Sequence, residues 1–155
     1  VAVMIDFIEH LPALTVVLAA LQRTPAPGGV LLITTPNFNS LSRHVLGVDW
    51  SILSPLEHMY YFTHDTLGRL LARCGFEVLE ARPIVRIQPD WLMNAKATHK
   101  PGWRSRWYGR FVERHDEWLE KYRFNLSVWL QMRGLADGLV MIARKSSVSE
   151  AALIR

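Results

Sequence analysis

Two short apolar runs constrain this chain more than any other feature. Residues 1–5 read Val-Ala-Val-Met-Ile, and residues 30–35 repeat the character as Val-Leu-Leu-Ile-Thr-Thr. A strand covered by helices on both faces needs no alternation of apolar and polar side chains, so both runs predict buried parallel strands. Between them Leu14, Leu18 and Leu21 recur at helical spacing, with Pro12 placed where a first turn tolerates it. Pro25, Pro27, Gly28 and Gly29 stop that helix, and Pro36 ends the second strand. Parallel strands joined by a helix cross over right-handedly. Both carboxyl ends then share one edge of the sheet, where open α/β sheets bind ligands. Asp6, Glu9 and His10 follow the first run at once and are candidate site residues.

Three blocks carry a resemblance. Ile5-Asp6-Phe7-Ile8-Glu9-His10-Leu11 is followed by Pro27-Gly28-Gly29 and then Leu32-Ile33-Thr34-Thr35-Pro36-Asn37. Pro55-Leu56-Glu57-His58-Met59-Tyr60-Tyr61-Phe62-Thr63 leads into a helix that ends Arg73-Cys74-Gly75-Phe76-Glu77-Val78. Gly138-Leu139-Val140-Met141-Ile142-Ala143-Arg144-Lys145 forms the last block. In order and spacing these resemble the second half of a class I S-adenosylmethionine-dependent methyltransferase, of the broad group that includes the ubiquinone-biosynthesis O-methyltransferases. The resemblance covers about residues 1–88 and 136–145. It implies an α/β, Rossmann-like, partly parallel sheet: the C-terminal strands of a seven-stranded methyltransferase sheet, with a helical insertion before the last strand. The family's glycine-rich cofactor loop and the acidic residue that holds the ribose are absent from these 155 residues. The expectation is therefore a fragment beginning inside the fourth strand, with residues 1–145 as the C-terminal portion of the domain, the insertion at about 100–134, and a tail at 146–155. Such a chain alone is expected to bind S-adenosylmethionine weakly or not at all.

The rest of the chain agrees with part of a cytoplasmic enzyme. Half of its residues are hydrophobic, which is enough for one core. No apolar run approaches the roughly 20 residues of a membrane-spanning helix, and none has the flanks of a signal peptide. The single cysteine, Cys74, excludes an internal disulfide. Its place in the series Leu67, Leu70, Leu71, Cys74 reads as a packed thiol rather than a nucleophile. Residues 38–56 read as a loop or short helix of a length that is usually functional. Thr63 predicts a helix N-cap, Gly75 its left-handed C-terminal residue, and residues 77–87 a strand with an edge, bulge or end at Pro83.

From Trp103 to Arg133 the period turns helical through Trp107, Phe111, Trp118, Tyr122 and Trp129. Between Lys100 and Arg123 seven Lys or Arg face four Asp or Glu, so most of the chain's formal net charge of +4 lies here. Basic residues among aromatics suit nucleic acid or an anionic membrane surface. No nucleic-acid motif accompanies them, and none is expected as a partner. The reading adopted is an amphipathic insertion whose aromatic stripe packs on the sheet or lids the site, with peripheral membrane contact through residues 103–133 as the other partner reading.

The resemblance implies that backbone after the fourth strand contacts the methionine portion of S-adenosylmethionine, which carries over to Ile5, Asp6 and Phe7. Asp6 is also placed as a helix N-cap. His10 and His58 each follow a glutamate and fall where the family's active-site mouth would be, so both are candidate catalytic bases. Asp6, Glu9 and His10 are similar to the acidic-x-x-Glu-His segment that holds a divalent metal in some ubiquinone-type members. Glu/His segments are common where no metal binds, and no metal is assigned. The function expected is methyl transfer to a small-molecule acceptor, at oxygen. Two alternatives stand beside it. One is a fragment of an NAD(P)-dependent Rossmann oxidoreductase; the other is a non-catalytic module working through its basic aromatic helix. Finally, residues 1–5 carry no Lys, Pro or bulge-forming Gly to protect a strand edge. Self-association through that edge is expected, weakened by Lys at Ala2 and Met4.

Overall fold

The computed structural model describes residues 1–23, 28–85 and 102–146. The turn expected at 25–27, the end of the strand expected to reach 87, the first residues of the insertion and most of the tail lie outside these. Among the described residues eleven elements follow in order. Strand β1 (Ala2–Ile5) leads through a short 3-10 helix (Ile8–His10) into α1 (Leu14–Arg23) and β2 (Val30–Pro36). Helix α2 (Leu41–Leu46) runs into a second 3-10 turn (Gly47–Asp49), and then come α3 (His64–Arg73) and β3 (Phe76–Ile84). Helices α4 (Trp103–Arg114) and α5 (Asp116–Met132) precede β4 (Gly138–Lys145).

The four strands form one sheet in the order β1-β2-β4-β3. β1 and β2 are parallel, with Met4 opposite Ile33, while β4 runs antiparallel to both β2 and β3. The expected partly parallel α/β sheet is thus what the chain forms. Its ends are set by local chemistry. Thr63 caps α3 by accepting from the Thr66 amide, and the Thr66 hydroxyl reaches back to the Thr63 amide. Gly75 follows α3 with φ +81°, the left-handed conformation expected of it. A shift of register between Val78 and Glu80 bulges β3 ahead of Pro83.

Burial corrects one expectation. Along β1 only Met4 is buried, while Val3 and Ile5 are 54% and 67% exposed. In β2, Leu31, Ile33, Thr35 and Pro36 are buried, and Val30, Leu32 and Thr34 are half-buried. The core therefore lies on one face of the sheet, where Met4, Ile33 and Met141 meet Leu14 and Leu18 of α1 and Leu67 and Leu71 of α3. An apolar run tells that both faces avoid charge, but not that both are covered. Because β1 pairs only with β2, its outer edge is free among the described residues. Lysine at Met4 would enter the core; Val3 and Ile5 are the outward positions.

The insertion is also corrected. Trp103, Trp107, Trp118 and Trp129 are 69, 59, 53 and 46% exposed, so the stripe does not pack on the sheet. Within the hairpin Leu130 is buried. A polar network secures its far end: Asn37 Nδ2 donates to the carbonyls of Gly134 and Ala136, and Ser42 Oγ donates to Asp137 Oδ1 at 2.9 Å. No helix among the described residues is long and apolar enough to cross a membrane.

Candidate functional site

At the carboxyl end of β1 the chain leaves the sheet abruptly. The Asp6 amide makes the last ladder bond, to the Thr34 carbonyl at 3.0 Å, and Asp6 itself takes φ +47°. That left-handed conformation costs a non-glycine residue roughly 1 kcal/mol, least for Asp and Asn, whose short polar side chains bond locally. Here Thr34 Oγ1 donates to Asp6 Oδ1 at 3.3 Å. Phe7 is the residue before the 3-10 turn and no side chain caps it, so Asp6 is not the N-cap expected of it. Ile5, Asp6 and Phe7 all lie exposed at this strand end.

The following turn sorts three adjacent residues by burial. Ile8 plugs the core, Glu9 points inward with 1% of its surface exposed, and His10 faces out. The distant segment around His58 is stitched onto it. The amides of Met59 and Tyr60 both donate to the Glu9 carbonyl, at 2.9 and 3.2 Å, and His10 Nδ1 reaches the Glu57 carbonyl at 2.6 Å. His58 Nδ1 lies 2.8 Å from the Ile52 carbonyl. The two imidazoles are thereby brought to 4.7 Å between centroids, tilted by 37°.

A carbonyl oxygen only accepts, so each ring must carry its proton on Nδ1. In the neutral ring each Nε2 then keeps its lone pair. This is the tautomer that a proton acceptor or a metal ligand requires. The neighbouring glutamates act differently from the sequence expectation. Neither ring is held by the carboxylate next to it in sequence; backbone carbonyls orient both. The Glu9 carboxylate instead accepts from Thr35 Oγ1 at 3.0 Å through Oε2, and its Oε1 is buried without a hydrogen-bond partner among the described residues.

Glu9, His10 and His58 each offer a ligand atom, and these atoms lie within 4.8 Å of one another. Asp6, which the sequence grouped with Glu9 and His10, is not part of this cluster, and His58 takes its place. Two imidazoles and a carboxylate form a donor set suited to a divalent transition ion. The buried unpartnered oxygen is the kind of atom such an ion would satisfy.

Tyr61 and Thr35 were missed in the sequence. The Tyr61 ring sits 6.1 Å from His58 and 5.6 Å from Phe38, which in turn packs edge-on against the buried Trp50. Burial pushes the Tyr61 phenol above its ordinary value, opposed in smaller part by the nearby Ser54 backbone, and the phenolic oxygen is buried without a hydrogen-bond partner among the described residues. A cavity of about 240 Å³, lined by Asn37, Asn39, Thr63, His64 and Asp65 among others, opens at the carboxyl end of β2 on the same edge of the sheet. Cys74 is half-buried against the core, and burial raises its thiol more than Arg73 lowers it, as befits a packed side chain.

A protein-family model described as a methyltransferase domain matches residues 1–81. No curated protein matches the chain. Among solved structures, a chain of the complex formed by the Haloferax volcanii Trm112 methyltransferase activator is similar at 15% identity, with a TM-score of 0.54, 96% of this chain covered and 54% of that one. The [4+2]-cyclase SpnF is similar at 16% identity, with a TM-score of 0.50, 94% of this chain covered and 48% of that one. These likenesses concern the fold alone, and the chain spans about half the length of the structures it resembles.

Proposed function

The chain belongs to the methyltransferase-domain family, and from that premise we propose that it supplies the acceptor side of an S-adenosylmethionine-dependent methyl transfer to a hydroxyl oxygen of a small molecule. The family sets the oxidoreductase alternative aside. The observation that carries the proposal is the histidine pair, 4.7 Å apart at the carboxyl edge of the sheet and fixed in the Nε2-basic tautomer by two backbone carbonyls.

The residues at the end of β1 fit one end of such a donor. The exposed, left-handed turn at Asp6 presents a carboxylate suited to an ammonium group, and Ile5 and Phe7 offer apolar surface beside it. The sulfonium donor supplies an already activated methyl group, so this chain has two tasks: to hold the acceptor in line and to take its proton. His58 is the proton acceptor. It is half-buried beside the Tyr61 ring, and Nδ1–H donation to Ile52 leaves Nε2 open. His10, exposed and anchored to Glu57, packs against the His58 ring and holds its position.

The test is His58→Ala in the active enzyme. Turnover should fall by about a hundredfold or more while affinity for the methyl donor stays unchanged, as loss of a general base requires. Equal losses in donor binding and turnover would mark His58 as a structural residue.

A second reading is favoured by the clustered ligand atoms and the unpartnered Glu9 Oε1. Glu9, His10 and His58 would hold a divalent cation, whose chemistry there would be to polarise the acceptor oxygen. Activity that survives chelation supports the base reading. Activity lost to chelation and restored by a divalent ion, together with calorimetric binding of that ion abolished by His58→Asn, supports the cation.

A further inference from the structure

We propose that the hairpin α4–α5 is a docking surface for an anionic phospholipid bilayer. Helix α4 carries two adjacent stripes. Trp103, Trp107 and Phe111 recur every fourth residue, and Arg106, Arg110 and Arg114 recur at the same interval beside them. The rings do not turn into the protein. Trp107 and Phe111 stack at 5.8 Å along the helix, and on α5 Trp118 lies 5.1 Å from Tyr122, with all four rings exposed. Cations accompany them: the Arg104 guanidinium sits 5.5 Å from the Trp103 ring and that of Arg133 5.7 Å from the Trp129 ring.

Large rings standing in water lose the stabilisation that burial would bring, which marks an interaction surface. Charge and side-chain type decide its occupant. A second copy would set one basic face against another, since seven Lys or Arg oppose four Asp or Glu between residues 100 and 123. A bilayer with anionic headgroups meets both stripes. Tryptophan and tyrosine settle at the depth of the headgroups, and arginine stems lie along apolar surface while their guanidinium groups reach phosphate. Glu113 and Glu117 are exposed on the same hairpin and moderate the attraction without reversing it.

Vesicle flotation of the 155-residue chain tests this, because aggregated protein does not float. The chain should rise with vesicles of phosphatidylcholine and phosphatidylglycerol and remain behind with phosphatidylcholine alone. Recovery should fall steeply at about 0.5 M salt, where the screening length shrinks to a few Å. The double variants Arg110→Glu/Arg114→Glu and Trp107→Ala/Trp118→Ala should each reduce partitioning about tenfold or more, with unchanged melting temperatures because the altered side chains are exposed. Failure to float with anionic vesicles at low salt overturns the proposal. So does flotation that ignores vesicle charge or is unaffected by both variants, since another surface would then be responsible.

Discussion

Replacing Thr35 by Val probes how the centre of the site is held. Valine keeps the branched shape and nearly the volume of threonine, so the buried position in β2 is undisturbed except for the hydroxyl. That hydroxyl donates to Glu9 Oε2 at 3.0 Å, and Glu9 Oε1 has no partner among the described residues. A hydrogen bond to a charged group contributes about 1.5–3 kcal/mol when its partner is left buried and unsatisfied. For a chain of 155 residues each kcal/mol corresponds to roughly 2–4 °C in melting temperature, so a loss of about 2 kcal/mol should lower Tm by about 4–8 °C. The penalty belongs to the stranded carboxylate rather than to the missing hydroxyl. The double variant Thr35→Val/Glu9→Leu should therefore recover most of the lost stability, because removing both polar partners is far less costly than removing one. Thermal unfolding of the four proteins completes the cycle. A Tm change under about 1 °C for Thr35→Val, or additivity of the two substitutions within about 0.5 kcal/mol, would refute the reasoning.

The free edge of β1 should make the chain self-associate at high concentration, and Val3→Lys with Ile5→Lys, both outward-facing, should shift light scattering toward monomer; a monodisperse monomer without these substitutions would refute this. Burial raises both the Cys74 thiol and the Tyr61 phenol, so the folded state retains protons that the unfolded chain releases. Stability is then full below the ordinary thiol value of 9.0 and declines as pH rises through the folded values. Urea unfolding from pH 8 to 10.5 should show that decline, and Cys74→Ala should flatten its onset; an unchanged slope in the variant would remove the thiol from the account.

The elements were legible because their signals are local. The apolar runs of β1 and β2, the cap at Thr63 and the left-handed Gly75 each depend on a few neighbouring residues. What covers a strand depends on the whole chain, which is why Val3 and Ile5 looked buried and are not. The site was half legible. His10 and His58 stood out as candidates, but nothing local revealed that the amides of Met59 and Tyr60 would dock on the Glu9 carbonyl and bring the two rings together. The cap role that Asp6 suggests by residue type beside its cofactor role was not borne out, because a positive φ leaves no mark in a residue's identity. The aromatic stripe of the hairpin has the period of a core-facing helix. Only the solvent around Trp103 and Trp107 distinguishes it.

The position of β4 governs when the fold can come into being. Among the described residues it is the last strand in sequence, yet it lies between β2 and β3, and β3 pairs there with no other strand. During synthesis, at about 5–20 residues per second, β2 and β3 emerge and then wait several seconds while the hairpin is made. Throughout that interval both have open edges, and Ile33 and Phe76 lack the neighbours that later bury them. Closure is a single late step that joins distant parts of the chain, the kind of pairing that folds slowly. The nascent protein is thus most vulnerable to aggregation just before β4 appears.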